Sequence, residues 1–167
     1  MNNQKYIYKS EECLKIYEFI SEGPKGQIKK MVQYTETGTE NVYNLAFGDY
    51  DDETNSINDL SITNNGDSLK VLATVASTVY AFTDKYTNAW IFATGSTAVR
   101  TRLYRMGITN NIEEIKSDFE VYGLTTETNV WEEFIIGEDY ERYLTVAEIK
   151  EMLKEHEEDT IRQAVDR

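Results

Sequence analysis

The chain has 167 residues, 40% hydrophobic and 12% aromatic, and its 30 acidic against 17 basic residues give a formal net charge of −13. That length suits a domain with a real core, and the composition is too apolar for a disordered chain and too polar for a membrane-spanning one. The charge repels nucleic acid and anionic membranes unless basic residues gather locally, and a single cysteine, Cys13, rules out an internal disulfide.

Residues 6–8 read as a short strand. Residues 14–21 alternate in polarity before the turn Glu22-Gly23-Pro24-Lys25-Gly26, and residues 28–34 return. Glycine permits positive φ and proline presets a turn, so Gly-Pro-x-Gly between two β-rich runs marks a hairpin. Residues 42–47 form the next strand, 48–55 the next turn, and 57–62 close an antiparallel meander. A long helix follows, in which Leu69, Leu72, Val75, Ala76, Val79 and Phe82 or Thr83 keep the spacing of one face packed on a sheet. Asp67 or Ser68 is placed to cap it.

Ala89-Trp90-Ile91-Phe92-Ala93 is a further strand, leading through Thr94-Gly95-Ser96-Thr97 into a basic helix over residues 98–107. Residues 110–116 suit a short helical turn, and residues 119–124 and 130–135 suit strands. Thr145 and Glu148 have capping-box spacing ahead of a charged helical stretch. The expected fold class is α+β: a mostly antiparallel sheet (a β-meander) with a long packed helix, then strand–helix–strand, then a peripheral C-terminal helix. The single α+β domain spans 1–144 and the charged C-terminal helix 145–167.

No run approaches the ~18 uninterrupted apolar residues of a membrane helix, and Met1-Asn2-Asn3-Gln4-Lys5-Tyr6 carries no apolar leader stretch. A cytoplasmic protein is expected, with no membrane partner.

The chemistry-bearing residues are few. The only histidine, His156, stands in the charged tail, so Ser–His and Cys–His pairs and Cys/His zinc sites are not expected. Neither common nucleotide fingerprint is present. Asp49, Asp51, Glu53, Asn55 and Asp59 alternate like calcium ligands, but Thr54 stands where an EF-hand loop requires glycine. A polar turn accounts for them, and no metal is expected. The stretch from Lys30 to Lys70 contains no further Lys or Arg. It reads as a solvated acidic face or as a surface for a basic protein partner.

Two turns do deliver a strand to a helix start, where backbone amides and the helix dipole favour an anion. The first offers Asn64, Asn65 and Gly66, although a capping Asp67 would fill those donors. The second offers Gly95, Ser96 and Thr97 beside Arg100, Arg102 and Arg105. An arginine fork matches phosphate or carboxylate bidentately; alternatively these arginines pair with the chain's own surplus carboxylates. Val99, Leu103 and Met106 form the buried stripe of that helix. The expected function is a non-catalytic binding or interaction module, needing no cofactor. Its pocket, framed by Thr94 to Arg105, takes a small anionic ligand or an acidic protein segment; nucleic acid is disfavoured by charge.

The order of elements over residues 57–124 resembles the Gcn5-related N-acetyltransferase fold. Leu103-Tyr104-Arg105-Met106-Gly107-Ile108 is similar to that family's Leu-Tyr-x-x-x-Gly-Phe run, one residue shorter between Tyr and Gly. Asn64-Asn65-Gly66-Asp67 keeps one glycine of its coenzyme A pyrophosphate loop and has an acid where a small residue is usual. The resemblance implies an acyl-coenzyme A-dependent N-acyltransferase using acetyl-coenzyme A, with Tyr104 protonating the departing thiolate. It also implies a splayed opening between the strand before the long helix and the strand ending near Phe92.

A wider resemblance is to a family of small uncharacterised bacterial proteins. It is carried by Phe19-Ile20-Ser21-Glu22-Gly23-Pro24-Lys25-Gly26, Asn44-Leu45-Ala46-Phe47-Gly48-Asp49, Asn64-Asn65-Gly66-Asp67 and Ala93-Thr94-Gly95-Ser96-Thr97 with Arg100-Thr101-Arg102-Leu103-Tyr104-Arg105. That resemblance implies unity of fold nearly to the tail and little else.

Overall fold

The computed structural model describes residues 4–58, 63–94, 98–125, 131–133 and 140–147. In chain order they form β1 (Lys9–Ser10), β2 (Ile16–Gly23), β3 (Gly26–Glu36), β4 (Val42–Asp51), β5 (Ser56–Ile57), α1 (Ser68–Lys85), β6 (Trp90–Thr94), α2 (Ala98–Asn110), α3 (Ile112–Asp118), β7 (Phe119–Thr125), β8 (Trp131–Glu133) and β9 (Tyr140–Ala147). The sheet runs β1-β2-β3-β4-β6-β9-β7-β8, with β5 paired to the end of β4. Every ladder is antiparallel except β4–β6, so the α+β class with a mostly antiparallel meander holds.

The β4–β6 ladder is short. It pairs Val42, Tyr43 and Asn44 with Trp90, Ile91 and Phe92, after which β4 continues to Asp51 beside β3 alone and then β5. The helix α1 makes the crossover between these two parallel strands, as parallel pairing requires a long connection.

Period-two alternation puts three inward rows against α1: Tyr17 and Phe19 on β2, Val32 and Tyr34 on β3, Leu45 and Phe47 on β4. They meet Val71, Leu72, Val75 and Phe82 of α1, with Tyr34 and Phe82 stacked at 4.1 Å between centroids. The face of α1 is turned slightly from the expected one. Thr74 and Thr78 are buried in it, their hydroxyls donating to Lys70 O (2.7 Å) and Val75 O (2.7 Å), and Leu69 is 56% exposed. A threonine that bonds its own helix is neutralised and can take an apolar place.

Other local expectations shift. The first strand lies at Lys9–Ser10 rather than residues 6–8, because the Tyr6 and Tyr8 rings pack on the core. The strand β4 runs on to Asp51, where a turn was expected from residue 48, since its pairing with β3 continues to Asp49. The strand expected over 57–62 retains Ser56–Ile57; residues 59–62 lie outside the described set. Thr145 caps no helix: it sits inside β9, opposite Ile91 and Val121, so β9 crosses the boundary drawn at 145. Residues 148–167, with the expected C-terminal helix and His156, lie outside the described residues.

Candidate functional site

At the end of the sheet nearest the start of α1, the inward rows turn polar. Ser21 closes the β2 row, Lys30 stands opposite Asp49 in the β3–β4 register, and both Ser21 and Lys30 are 0% exposed. The Lys30 ammonium donates to Asp49 Oδ1 and to the Thr63 carbonyl at 3.1 Å. The other Asp49 oxygen accepts from Thr63 N (2.9 Å) and Thr63 Oγ1 (2.5 Å). A buried ion pair needs such extra bonds to offset its desolvation. Lys30 is also part of a cavity wall.

The turn before α1 is fastened to the β2–β3 hairpin. Asn65, 2% exposed, accepts from Lys25 N at 2.8 Å and donates to Gly26 O at 2.9 Å and Ser21 Oγ at 3.2 Å. Gly66 takes φ +76°, a conformation glycine adopts without cost, and its N–H donates to Asn64 Oδ1 at 3.0 Å. Asp67 stands at the N-cap of α1, yet no side-chain hydrogen bond caps the helix. Its carboxylate turns instead to the Tyr6 hydroxyl and Ser21 Oγ, each donating at 2.6 Å. Burial, then that bond to Asp67, holds the Tyr6 hydroxyl above its usual pKa. The expectation that a capping Asp67 fills the helix-start donors is thereby corrected: its carboxylate makes no cap hydrogen bond and is taken up by Tyr6 and Ser21.

Between these parts and α2 lies a cavity of about 320 Å³, lined by Lys30, Phe47, Thr63, Asn64, Asp67, Ser68, Val71, Leu72, Arg102 and Met106. Its polar side gathers Lys30, the turn at 63–68 and Arg102; its apolar side is Phe47, Val71, Leu72 and Met106. Two acids balance the two cations: Asp49 beside Lys30, and Asp67 on the wall. The cavity therefore offers directed donors rather than a large net positive charge.

The expected site residues fall into three groups. Asn64 and Arg102, 38 positions apart in sequence, line the same cavity; Gly66 shapes the turn beside it, while the Asn65 side chain serves the clasp to the hairpin. Arg105 is half-buried on α2 and does not line the cavity. Gly95, Ser96 and Thr97 lie outside the described residues, as do the side chains of Arg100, Tyr104, Val99 and Leu103, whose backbone α2 carries. Sequence reasoning missed Lys30, Asp49 and Thr63. The signal for Lys30 was its place two residues before Val32 and four before Tyr34, on the row that faces α1. Asp49, read as part of an acidic turn or calcium loop, has the same relation to Phe47 and Leu45. Among the described residues, no group of three or more metal-ligating acids, histidines or cysteines is gathered anywhere.

A family model described as a family of unknown function (DUF6934) matches residues 2–148. No curated protein and no solved structure matches the chain.

Proposed function

The chain belongs to the DUF6934 family, and from that premise we propose that it is a binding module for a small organic anion. The observation that carries this reading is the convergence, on one cavity, of a buried ammonium, an arginine and a helix start without a side-chain cap. Backbone amides and the dipole at the start of α1 favour an anion. Lys30 supplies a point charge fixed by Asp49, and Arg102 supplies a planar fork from the solvent side.

The test is a thermal-shift titration of the purified protein with inorganic phosphate, ATP, coenzyme A and acetyl-coenzyme A, repeated on Arg102→Ala. A ligand bound to the folded state alone at a hundred times its Kd adds about 2.7 kcal/mol, which raises Tm by about 5–10 °C in a protein of this size. Arg102 is exposed, so its removal leaves the ligand-free Tm in place while weakening binding about tenfold, the value of one charge-assisted bond. An unmoved Tm with all four anions sinks the reading.

A second reading, an acyl-coenzyme A-dependent N-acyltransferase with Tyr104 as acid, is favoured by one observation. The β4–β6 ladder stops after three pairs, a parting of parallel strands like the one the acetyltransferase resemblance implies, and α1 is the crossover that joins them. In the same titration this reading requires shifts with coenzyme A and acetyl-coenzyme A that phosphate and ATP do not give.

A further inference from the structure

Behind the anion cavity, between the sheet, α1 and α2, lies a second cavity of about 70 Å³. The two share Phe47 and Leu72 as a common wall. This chamber is lined by apolar side chains such as Leu45, Val75, Ala76, Ile91, Ala93 and Ile108; among the described lining residues the one polar tip, the Tyr80 hydroxyl, is engaged with Glu114 O and Asp118. Water requires two to four polar partners to reside in such a space, and this lining is predominantly apolar. Its volume nonetheless equals about five water-sized places, well above the voids of a close-packed core. This apolar space adjoins a polar cavity.

We propose that the anion carries a short unbranched hydrocarbon arm, and that the arm lodges in this chamber while the charged head stays with Lys30, the turn at 63–68 and Arg102. The inference rests on the anion-binding reading and deepens it by naming the ligand class, a single-chain amphiphile with an arm of about four to six carbons. Phe47 and Leu72, common to both linings, stand where polarity changes from one side to the other. The Gly107 backbone bounds the chamber from α2, close to Leu72: a Cβ there would lie 3.2 Å from Leu72 Cδ2. The head is a phosphate or a carboxylate, since both satisfy an ammonium and a guanidinium.

The test is a calorimetric titration with inorganic phosphate, ethyl, butyl and hexyl phosphate, and with butanoate and hexanoate, on the native protein and on Ala76→Leu, which fills the chamber from α1. In the native protein, affinity is expected to rise about fourfold for each methylene added, in the phosphate series, the carboxylate series or both. In Ala76→Leu the rise is expected to vanish, leaving longer members no tighter than inorganic phosphate. A flat series in the native protein, with phosphate bound as tightly as hexyl phosphate, overturns the arm and leaves the anion reading standing. An equal rise in both proteins also overturns it, because the arm then lies elsewhere. Failure of every compound to bind overturns both proposals. Should Ala76→Leu not fold, the slope in the native protein decides alone.

Discussion

Lys29 and Lys30 are adjacent and have opposite fates. Lys29 turns to the outer face, its ammonium 4.4 Å from the Tyr50 ring centroid and 3.7 Å from Asp52. The Lys30 side chain is 1% exposed and holds Asp49, itself 15% exposed. Replacing Lys30 by Met strands a carboxylate in the interior, at an expected loss of about 3–5 kcal/mol in urea-induced unfolding. The double variant Lys30→Met/Asp49→Leu removes both charges and is expected to recover most of that loss, whereas Lys29→Met stays within about 0.5 kcal/mol. A Lys30→Met loss below about 1 kcal/mol would contradict the burial of the pair. A lysine in a strand suggests a solvated position, which is why composition and charge spacing alone passed Lys30 by. Only period-two counting back from the core residues Val32 and Tyr34 places it inside, and the need for a partner then points to the acid at the end of the β4 row.

At the scale of elements, the β2–β3 hairpin and the turn before α1 act as one clasp. A Cβ built on Gly23 would lie 1.9 Å from the Asn65 carbonyl oxygen, so a side chain there forces backbone apart. Gly23→Ala is expected to cost about 3 kcal/mol, at the upper end of overpacking effects. It is also expected to weaken phosphate binding, although Gly23 does not line the cavity, because it displaces the turn that does. A Gly23→Ala protein with native Tm and native phosphate affinity would refute the clasp. The hairpin, the long helix and the strand–helix–strand unit were legible from turn chemistry and periodicity; that Asn64 and Arg102 share one cavity was not, because the two turns were read as separate sites. The strand β9 was not: Tyr140-Glu141-Arg142-Tyr143-Leu144 mixes charge with aromatics, and its pairing is supplied by β6 and β7 on either side rather than by local pattern. Thr145 imitated a cap because capping-box spacing says nothing of what lies across the sheet.

At the scale of the whole molecule, three tyrosine hydroxyls among the described residues are held protonated beyond their usual range. Burial raises the pKa of Tyr6, Tyr17 and Tyr80, helped by Asp67 at Tyr6, by the neighbouring Tyr8 at Tyr17 and by Asp118 at Tyr80. The unfolded hydroxyl ionises near its ordinary value of 10.0, so the unfolded chain loses protons that the fold retains. The stability these groups contribute is complete below pH 10 and declines as pH rises above it. Tm measured by circular dichroism is expected to hold to about pH 9 and fall steeply beyond 10, less steeply in Tyr80→Phe. A Tm unchanged from pH 9 to 12 would contradict this.

The insertion of β9 between β6 and β7 carries a consequence for biosynthesis. The strands β2, β3 and β4 are joined by short connections and can pair as soon as they leave the ribosome. The strands β6 and β7, separated by α2 and α3, touch no common partner until residues 140–147 arrive. One edge of each stays open until then, and non-local pairing is the slow, aggregation-exposed part of folding. A nascent chain stalled before residue 140 therefore presents a finished meander and two strands, β6 and β7, each with one edge unmatched, a species that holdase chaperones are suited to shield.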